Sequence, residues 1–492
     1  MTEPLLCEIS VPNRRGLSVP DIDVPEAELP SNLIRDDLPL PEVSEVDVIR
    51  HFTRLSQLNY SIDTGMYPLG SCTMKYNPKI NEAMARLPGF SQTHPLQPII
   101  TVQGNLLMMY ELQEWLKEIG GFAGLTLQPA AGAQGELTGV LIIRAYLESR
   151  GEHQRNKFLI PDSAHGTNPA TSAMSGMRVV ELSSDSRGNV DLQALKNECD
   201  ETLAGLMLTN PNTLGLFDEN VEEVTRLVHE AGGLVYGDGA NMNALLGIVR
   251  PGDLGIDVMH YNLHKTFSTP HGGGGPGSGP VGVVEELVDF LPAPIIGIVE
   301  QGDDETPPLY GYITPAKSIG RVKSFMGQFG MMVRAYTYIR MHGPEGLRKI
   351  SEYAVLNANY LMEQMKENYH IPFNRVCMHE FVVEGQWPDA PDIHALDISK
   401  RMMDYGLHPP TNYFPLIVQE SLMIEPPETE SKQTLDQFVE VMKKIAKEAH
   451  EQPELLKSAP HNTPVGRLDE VKAARELVLC CRVDTMESEA VN

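Results

Sequence analysis

Lys265 closes the run Asp257-Val258-Met259-His260-Tyr261-Asn262-Leu263-His264-Lys265, and a glycine-rich stretch, Gly272 to Gly279, follows it. A lysine at the end of a short apolar run, beside small residues, suits an imine-forming lysine. In water a lysine titrates near about 10.4 and is a poor nucleophile at pH 7. Desolvation or a cationic neighbour lowers that value and activates the amine. A single lysine is more often an ordinary surface residue, so the reading depends on company. Ala131-Gly132-Ala133-Gln134-Gly135-Glu136 stands where an apolar helical stretch begins. Its small residues let backbone N–H groups approach an anion, and a helix N-terminus favours phosphate; the competing reading is a plain tight turn. In Asp162-Ser163-Ala164-His165-Gly166-Thr167-Asn168-Pro169-Ala170, His165 can stack on a flat heterocycle or move a proton, although a lone loop histidine is more often structural. Asp238, in Gly237-Asp238-Gly239-Ala240 after Leu234-Val235-Tyr236, can reach a cleft and pair with a protonated ring nitrogen. Its alternative is a helix cap or turn.

Pyridoxal phosphate (PLP) needs all four services: a phosphate loop, a ring-stacking histidine, a carboxylate for the pyridine nitrogen and a lysine for the aldehyde. The four occur in that order. Gly272-Gly273-Gly274-Gly275-Pro276-Gly277 formally matches GxGxxG, but it does not lead from a strand into a helix, so a dinucleotide reading is weak. No Walker A or HExxH motif occurs, and no metal is expected.

These residues need a scaffold of alternating elements. Leu106, Met109, Leu112, Leu116 and Ile119 recur at helical spacing until Gly120-Gly121. Residues 135–149 are apolar nearly all round, as in a buried helix. Strand-like runs follow at 158–161, 178–182, 205–209, 234–237, 258–263 and 280–284, with an amphipathic helix at 220–231. This alternation predicts a mostly parallel sheet with helices on both faces and ligands at the carboxyl ends of its strands. After about 320, two helical patterns flank Gly343-Pro344, a mixed segment follows, and a last helix carries Leu435, Phe438, Met442, Ile445 and Ala449. The expected organisation is an N-terminal arm at 1–65, a large cofactor-binding domain at 66–325, a smaller α+β domain at 326–455 and a tail at 456–492.

Composition bounds the rest. The 492 residues carry 39 Lys plus Arg against 66 Asp plus Glu, a net charge of −27. That balance argues against nucleic acid and against an anionic membrane surface. No apolar run is long enough to span a bilayer, and the acidic, Pro-rich start resembles neither a signal nor a transit peptide. Cys7, Cys72, Cys199, Cys377, Cys480 and Cys481 form no CxxC pair, which suits reduced thiols in a cytoplasm.

Longer words narrow the reading. Tyr67-Pro68-Leu69-Gly70-Ser71-Cys72-Thr73-Met74-Lys75, Asp162 to Ala170, Thr209-Asn210-Pro211-Asn212-Thr213-Leu214-Gly215, Asp238 to Ala244, and Asn262-Leu263-His264-Lys265-Thr266-Phe267 resemble the P-protein of the glycine cleavage system. The tail Pro464 to Val471 does so too. In length the chain is similar to the C-terminal half of a fused P-protein, that is, to subunit 2 of two-subunit enzymes. The resemblance implies fold type I of the PLP-dependent transferases, with a seven-stranded, mostly parallel sheet. It implies a glycine dehydrogenase (aminomethyl-transferring), an oxidoreductase that releases CO₂ from glycine and passes the aminomethyl group to the lipoyl arm of an H-protein. It further implies a partner, subunit 1, in an α₂β₂ heterotetramer. By the same resemblance Lys265 holds PLP as a covalent imine. His165 stacks on the ring and moves protons, Asp238 pairs with the pyridine nitrogen, and Ala240 lies beside the ring. Ala133 and Gln134 bind phosphate with His264, and Thr213 meets the ring hydroxyl. Ser71-Cys72-Thr73 lines the substrate pocket, and the Gly272 to Gly279 stretch is the mouth for the lipoyl arm.

Two rivals stay open. Another enzyme of the same fold, such as a desulfurase, would need a mobile cysteine after the lysine, and none lies between Cys199 and Cys377. A catalytically silent partner subunit would not need Lys265 and Asp238 together.

Overall fold

The computed structural model describes residues 3–35, 38, 40–271 and 277–479. The chain divides into two compact units, residues 65–457 and residues 1–64 with 458–492. In the larger unit, the described residues form a seven-stranded sheet: β1 (Gly124–Thr126), β2 (Lys157–Pro161), β3 (Arg178–Leu182), β4 (Leu203–Thr209), β5 (Leu234–Gly239), β6 (Val258–Tyr261) and β7 (Val281–Val283), in the order β1-β7-β6-β5-β4-β2-β3. β7 runs antiparallel to both its neighbours, and the remaining pairs are parallel. β2, β4 and β6 are buried along their whole length, which is why they read as continuous apolar runs. The short edge strand β1 is absent from the sequence reading, since three residues carry no period.

Helices α1 (Gln103–Gly120), α2 (Gly132–Ser149), α3 (Thr167–Met174) and α4 (Val221–Glu230) accompany the sheet, and α5 (Phe329–Met365) leads away from it. α1 buries Leu112 and Leu116 and ends at Gly121, whose φ of 77° is the left-handed stop that glycine permits. α2 begins three residues before the sequence reading started it, so 132–136 is its first turn rather than a preceding loop. α5 joins the two helical patterns expected around Gly343-Pro344 and bends at Gly343, where φ is 59° and ψ is −178°. Its first half packs in the core of the large sheet through Met332 and Tyr338. Its last turns, through Leu361 and Met365, enter a second core. That core lies under a three-stranded sheet of β10 (Phe381–Glu384), β12 (Ser421–Ile424) and β11 (Thr411–Asn412), with α6 (Ala395–Asp404) and α7 (Lys432–Glu451). Between α4 and α5, β8 (Ile295–Glu300) and β9 (Leu309–Ile313) pair antiparallel as a separate ribbon.

In the other unit, the segment read as an N-terminal arm holds a helix, Glu45–Leu58. Ser44 and Asp47 close a capping box at its start, and Glu3 folds back to accept from Arg54 at 2.6 and 2.7 Å. Among the described residues no helix is long and apolar enough to cross a membrane. Cys7, Cys72, Cys199 and Cys377 are free thiols; Cys480 and Cys481 lie outside the described residues.

Candidate functional site

The carboxyl ends of β2, β4, β5 and β6 face the start of α2, and between them lies a cavity of about 200 Å³. Its wall includes Ser71, Ala133, His165, Thr213, Asp238 and Lys265, and also Ala240 and His264. Residues expected from separate segments to share one site therefore do share one. Gln134 alone points its side chain elsewhere: Oε1 accepts from the Ala130 N–H at 2.7 Å and Nε2 donates to the Val322 carbonyl at 2.6 Å. Only its backbone is left for an anion.

Lys265 Nζ donates to the Ser71 carbonyl at 2.8 Å. That carbonyl belongs to a strained turn, because Ser71 has a φ of 63°. Three contacts hold the turn. Glu380 accepts from the Ser71 N–H at 2.6 Å, Thr411 Oγ1 donates to the Gly70 carbonyl at 2.8 Å, and Gly70 lies so close to Met423 that a Cβ would stand 2.2 Å from Cγ. The lysine is thus positioned by the three-stranded sheet as well as by its own strand.

Asp238 and His260 are register partners on β5 and β6, so their side chains meet at 3.5 Å. Asp238 also accepts from the Ala240 N–H at 2.9 Å and from Asn168 at 3.3 Å. Burial alone would raise its pKa. The positive charges assigned to His260 and Lys265, with these donors, outweigh burial and hold the carboxyl below its usual range. His260 is itself pushed down by burial. Behind it, the Tyr236 hydroxyl meets His260 Nδ1 at 2.6 Å.

His165 is exposed at the cavity edge, with its ring 5.8 Å from Phe414 at 66°. Desolvation, then the Lys265 charge, lower its pKa against the pull of Asp238. His264 is pushed down to about 3, by burial first and then by Lys265, and Nδ1 accepts from the Ser278 N–H at 3.2 Å. Thr213 Oγ1 donates to the Ser163 carbonyl at 2.5 Å, which leaves its oxygen as an acceptor. Of the Ser71-Cys72-Thr73 run, Ser71 alone lines the cavity. Cys72 sits 3.7 Å from His271 Nδ1, with its thiol pushed up by burial. Thr73 donates to the buried Glu425. Residues 272–276 of the expected mouth lie outside the described residues, while Gly279 packs on the start of α2, where a Cβ would stand 2.1 Å from the Ala131 carbonyl oxygen.

The sequence reading missed Glu136, Thr167, Thr209, His260 and Asn262, all on the cavity wall. Glu136 is buried near the start of α2, one turn in from Gly132, and accepts from Thr167 at 2.8 Å and Thr171 at 3.3 Å. Burial, then the charge of Asp238, push its carboxyl up to about 7. A glutamate at a helix start reads as an ordinary dipole partner, so no local signal distinguished it.

The cavity suits a phosphorylated, planar group. Among the described residues no side chain caps the start of α2, and its first-turn N–H groups suit an anion. Gly132 keeps the floor open, since a Cβ there would stand 2.5 Å from Asn262 Oδ1. Among the described residues, the buried Thr209 Oγ1 and Asn262 Oδ1 have no partner and face a site able to supply one. A buried carboxylate and an amine complete the set.

A family model described as "Glycine dehydrogenase, C-terminal domain" matches residues 350–463. Two relatives named "Probable glycine dehydrogenase (decarboxylating) subunit 2" match nearly the whole chain. The one from Alkaliphilus oremlandii is 58% identical over 480 residues, 96% of this chain and 97% of its own. The one from Caldanaerobacter subterraneus is 59% identical over 480 residues, 96% and 98%. Among solved structures, an inhibitor-bound glycine decarboxylase (P-protein) of the glycine cleavage system superposes with a TM-score of 0.72 at 20% identity, covering 85% of this chain and 93% of that one. A sphingosine-1-phosphate lyase from Burkholderia pseudomallei superposes with a TM-score of 0.60 at 14% identity, covering 88% and 94%. These two likenesses speak for the fold alone.

Proposed function

The chain belongs to the family of glycine dehydrogenase (decarboxylating) subunit 2, and from that membership we propose that its cavity binds PLP on Lys265 and decarboxylates glycine. The fold is that of the type I PLP-dependent transferases. The observation that carries the reading is one cavity uniting Lys265, Asp238, His165 and the uncapped start of α2.

PLP, when bound, supplies an electron sink for the pair left behind as CO₂ departs. The chain supplies the rest. Ser71 O orients the Lys265 amine. The N–H groups of Gly132, Ala133 and Gln134 hold the phosphate. Asp238, kept ionised, favours a protonated ring nitrogen. His165, exposed on the cavity wall, would lie against the ring and carry protons there. His264, held neutral, offers Nε2 to the phosphate end, and Thr213 offers an oxygen or its N–H to the ring hydroxyl. The aminomethyl group then passes to the oxidised lipoyl arm of an H-protein. The relatives are named as subunit 2, which supports a second chain, subunit 1; an α₂β₂ assembly in the cytoplasm belongs to the same proposal.

The test is exchange of labelled CO₂ into glycine by this chain alone, with subunit 1, and with subunit 1 plus lipoylated H-protein. Exchange is expected only with the partner present and is expected to rise with H-protein. No exchange in any combination refutes the activity, and full exchange by the chain alone refutes the need for subunit 1.

A further inference from the structure

Glu136, Thr167 and His165 come from α2 and the loop that enters α3, yet their polar atoms form one line. Thr167 Oγ1 lies 2.8 Å from Glu136 Oε1 and 2.9 Å from His165 Nδ1. A hydroxyl carries one proton and can donate to only one of the two neighbours at a time. The other neighbour must then donate to the oxygen. Two arrangements satisfy the line. With Glu136 ionised, Thr167 donates to Glu136 and His165 Nδ1–H donates to Thr167. With Glu136 neutral, its O–H donates to Thr167, the hydroxyl donates to Nδ1, and the ring proton sits on Nε2. The Thr167 backbone N–H, 3.2 Å from Nδ1, favours the second.

We propose that these three residues form a proton wire, with Glu136 as the buried store for the proton that His165 exchanges with the cavity. When Nε2 takes a proton from the cavity, the Nδ1 proton passes to Thr167 Oγ1 and the hydroxyl proton passes to Glu136 Oε1. The ring ends neutral with its tautomer exchanged, and the carboxylate ends as the acid. The reverse sequence returns a proton to the cavity and leaves Glu136 ionised. The imidazolium, which desolvation and Lys265 disfavour, is never the resting product. The groups facing Glu136 suit a store that empties and fills near neutrality. Asp238 raises it and Thr167 and Thr171 lower it; Tyr236 is neutral, and His260, packed against Gly135, is neutral through burial. Glu136 and Thr167 act through His165 and are positioning residues.

The role of the wire in turnover rests on the proposed activity; its existence does not. The cofactor-free chain, with isotope-labelled histidine, therefore reports the His165 tautomer by NMR against pH. The Nε2–H form is expected below about pH 7 and is expected to give way as Glu136 titrates. Thr167→Val is expected to abolish that transition, and Thr167→Ser to keep it. In the assembled enzyme, Thr167→Val is expected to slow CO₂ exchange about 100-fold at full cofactor occupancy, the lower end of the range of general acid–base effects, and Thr167→Ser to restore it. Glu136→Gln is expected to remove the inflection near pH 7 from the exchange profile. An unchanged tautomer transition in Thr167→Val overturns the wire, and it does so even if Glu136→Gln fails to fold. A normal transition with no exchange in any variant or in the wild type would instead count against the activity.

Discussion

Gly132→Ala tests the cavity through its tightest point. An added Cβ would stand 2.5 Å from Asn262 Oδ1 and 3.2 Å from His260 Nε2, so the Asn262 amide must move. Asn262 is buried, and its Nδ2 meets His260 Nε2 at 3.2 Å. Moving it forfeits that hydrogen bond, about 0.5–1.5 kcal/mol, within a total overpacking cost of about 1–3 kcal/mol. The methyl also stands before the first-turn N–H groups. Losing one charge-assisted bond to a phosphate costs about 1.5–3 kcal/mol, or about 10- to 100-fold in cofactor affinity. The assay is titration of the cofactor-free protein with PLP, followed by visible absorbance, beside thermal denaturation without cofactor. Gly104→Ala is the control: nothing lies within 4 Å of its Cβ and it sits in α1, so a neutral or slightly stabilising effect is expected. Wild-type PLP affinity in Gly132→Ala, with stability unchanged, would show that the start of α2 is not the phosphate cradle.

Lys265→Ala is expected to abolish the visible absorbance of bound cofactor while the fold survives, checked by absorbance and circular dichroism; a retained band would remove Lys265 from its role. Glu425 is fully buried, and burial first pushes its carboxyl from 4.5 to about 7. A folded value above the unfolded one gives stability that is complete below about pH 4.5 and lost as pH rises through about 7. Over that window the loss is at most about 3.5 kcal/mol, at about 1.4 kcal/mol per pH unit, and Glu425→Gln is expected to flatten it in urea unfolding at pH 5 and pH 8. Gly215→Ala is expected to destabilise by more than about 3 kcal/mol, because φ is 76° and a Cβ would stand 1.8 Å from the Glu380 carbonyl oxygen; thermal denaturation measures it. Arg226→Ala removes two exposed ion pairs and is expected to shift the same denaturation only slightly.

The sequence by itself determined what local pattern encodes. Strands buried on both faces are mostly apolar, so β2, β4, β5 and β6 could be read from short windows, and so could the polar residues at their carboxyl ends. Lys265, Asp238 and His165 each have an ordinary structural reading alone, and were visible because together with the 131–136 segment they supply the services of one cofactor in one order along the chain. Tertiary structure alone decided the rest, because each remaining property depends on a distant neighbour. Lys265 is aimed by a carbonyl 194 residues away, on a turn held by Glu380. Gln134 was turned from the cavity by Val322. Glu136 looks like any acid near a helix start until burial and the nearby Asp238 raise it to about 7. Desolvation and Coulomb interaction act through space, so a carboxyl's chemistry is fixed by what packs around it rather than by its neighbours in sequence.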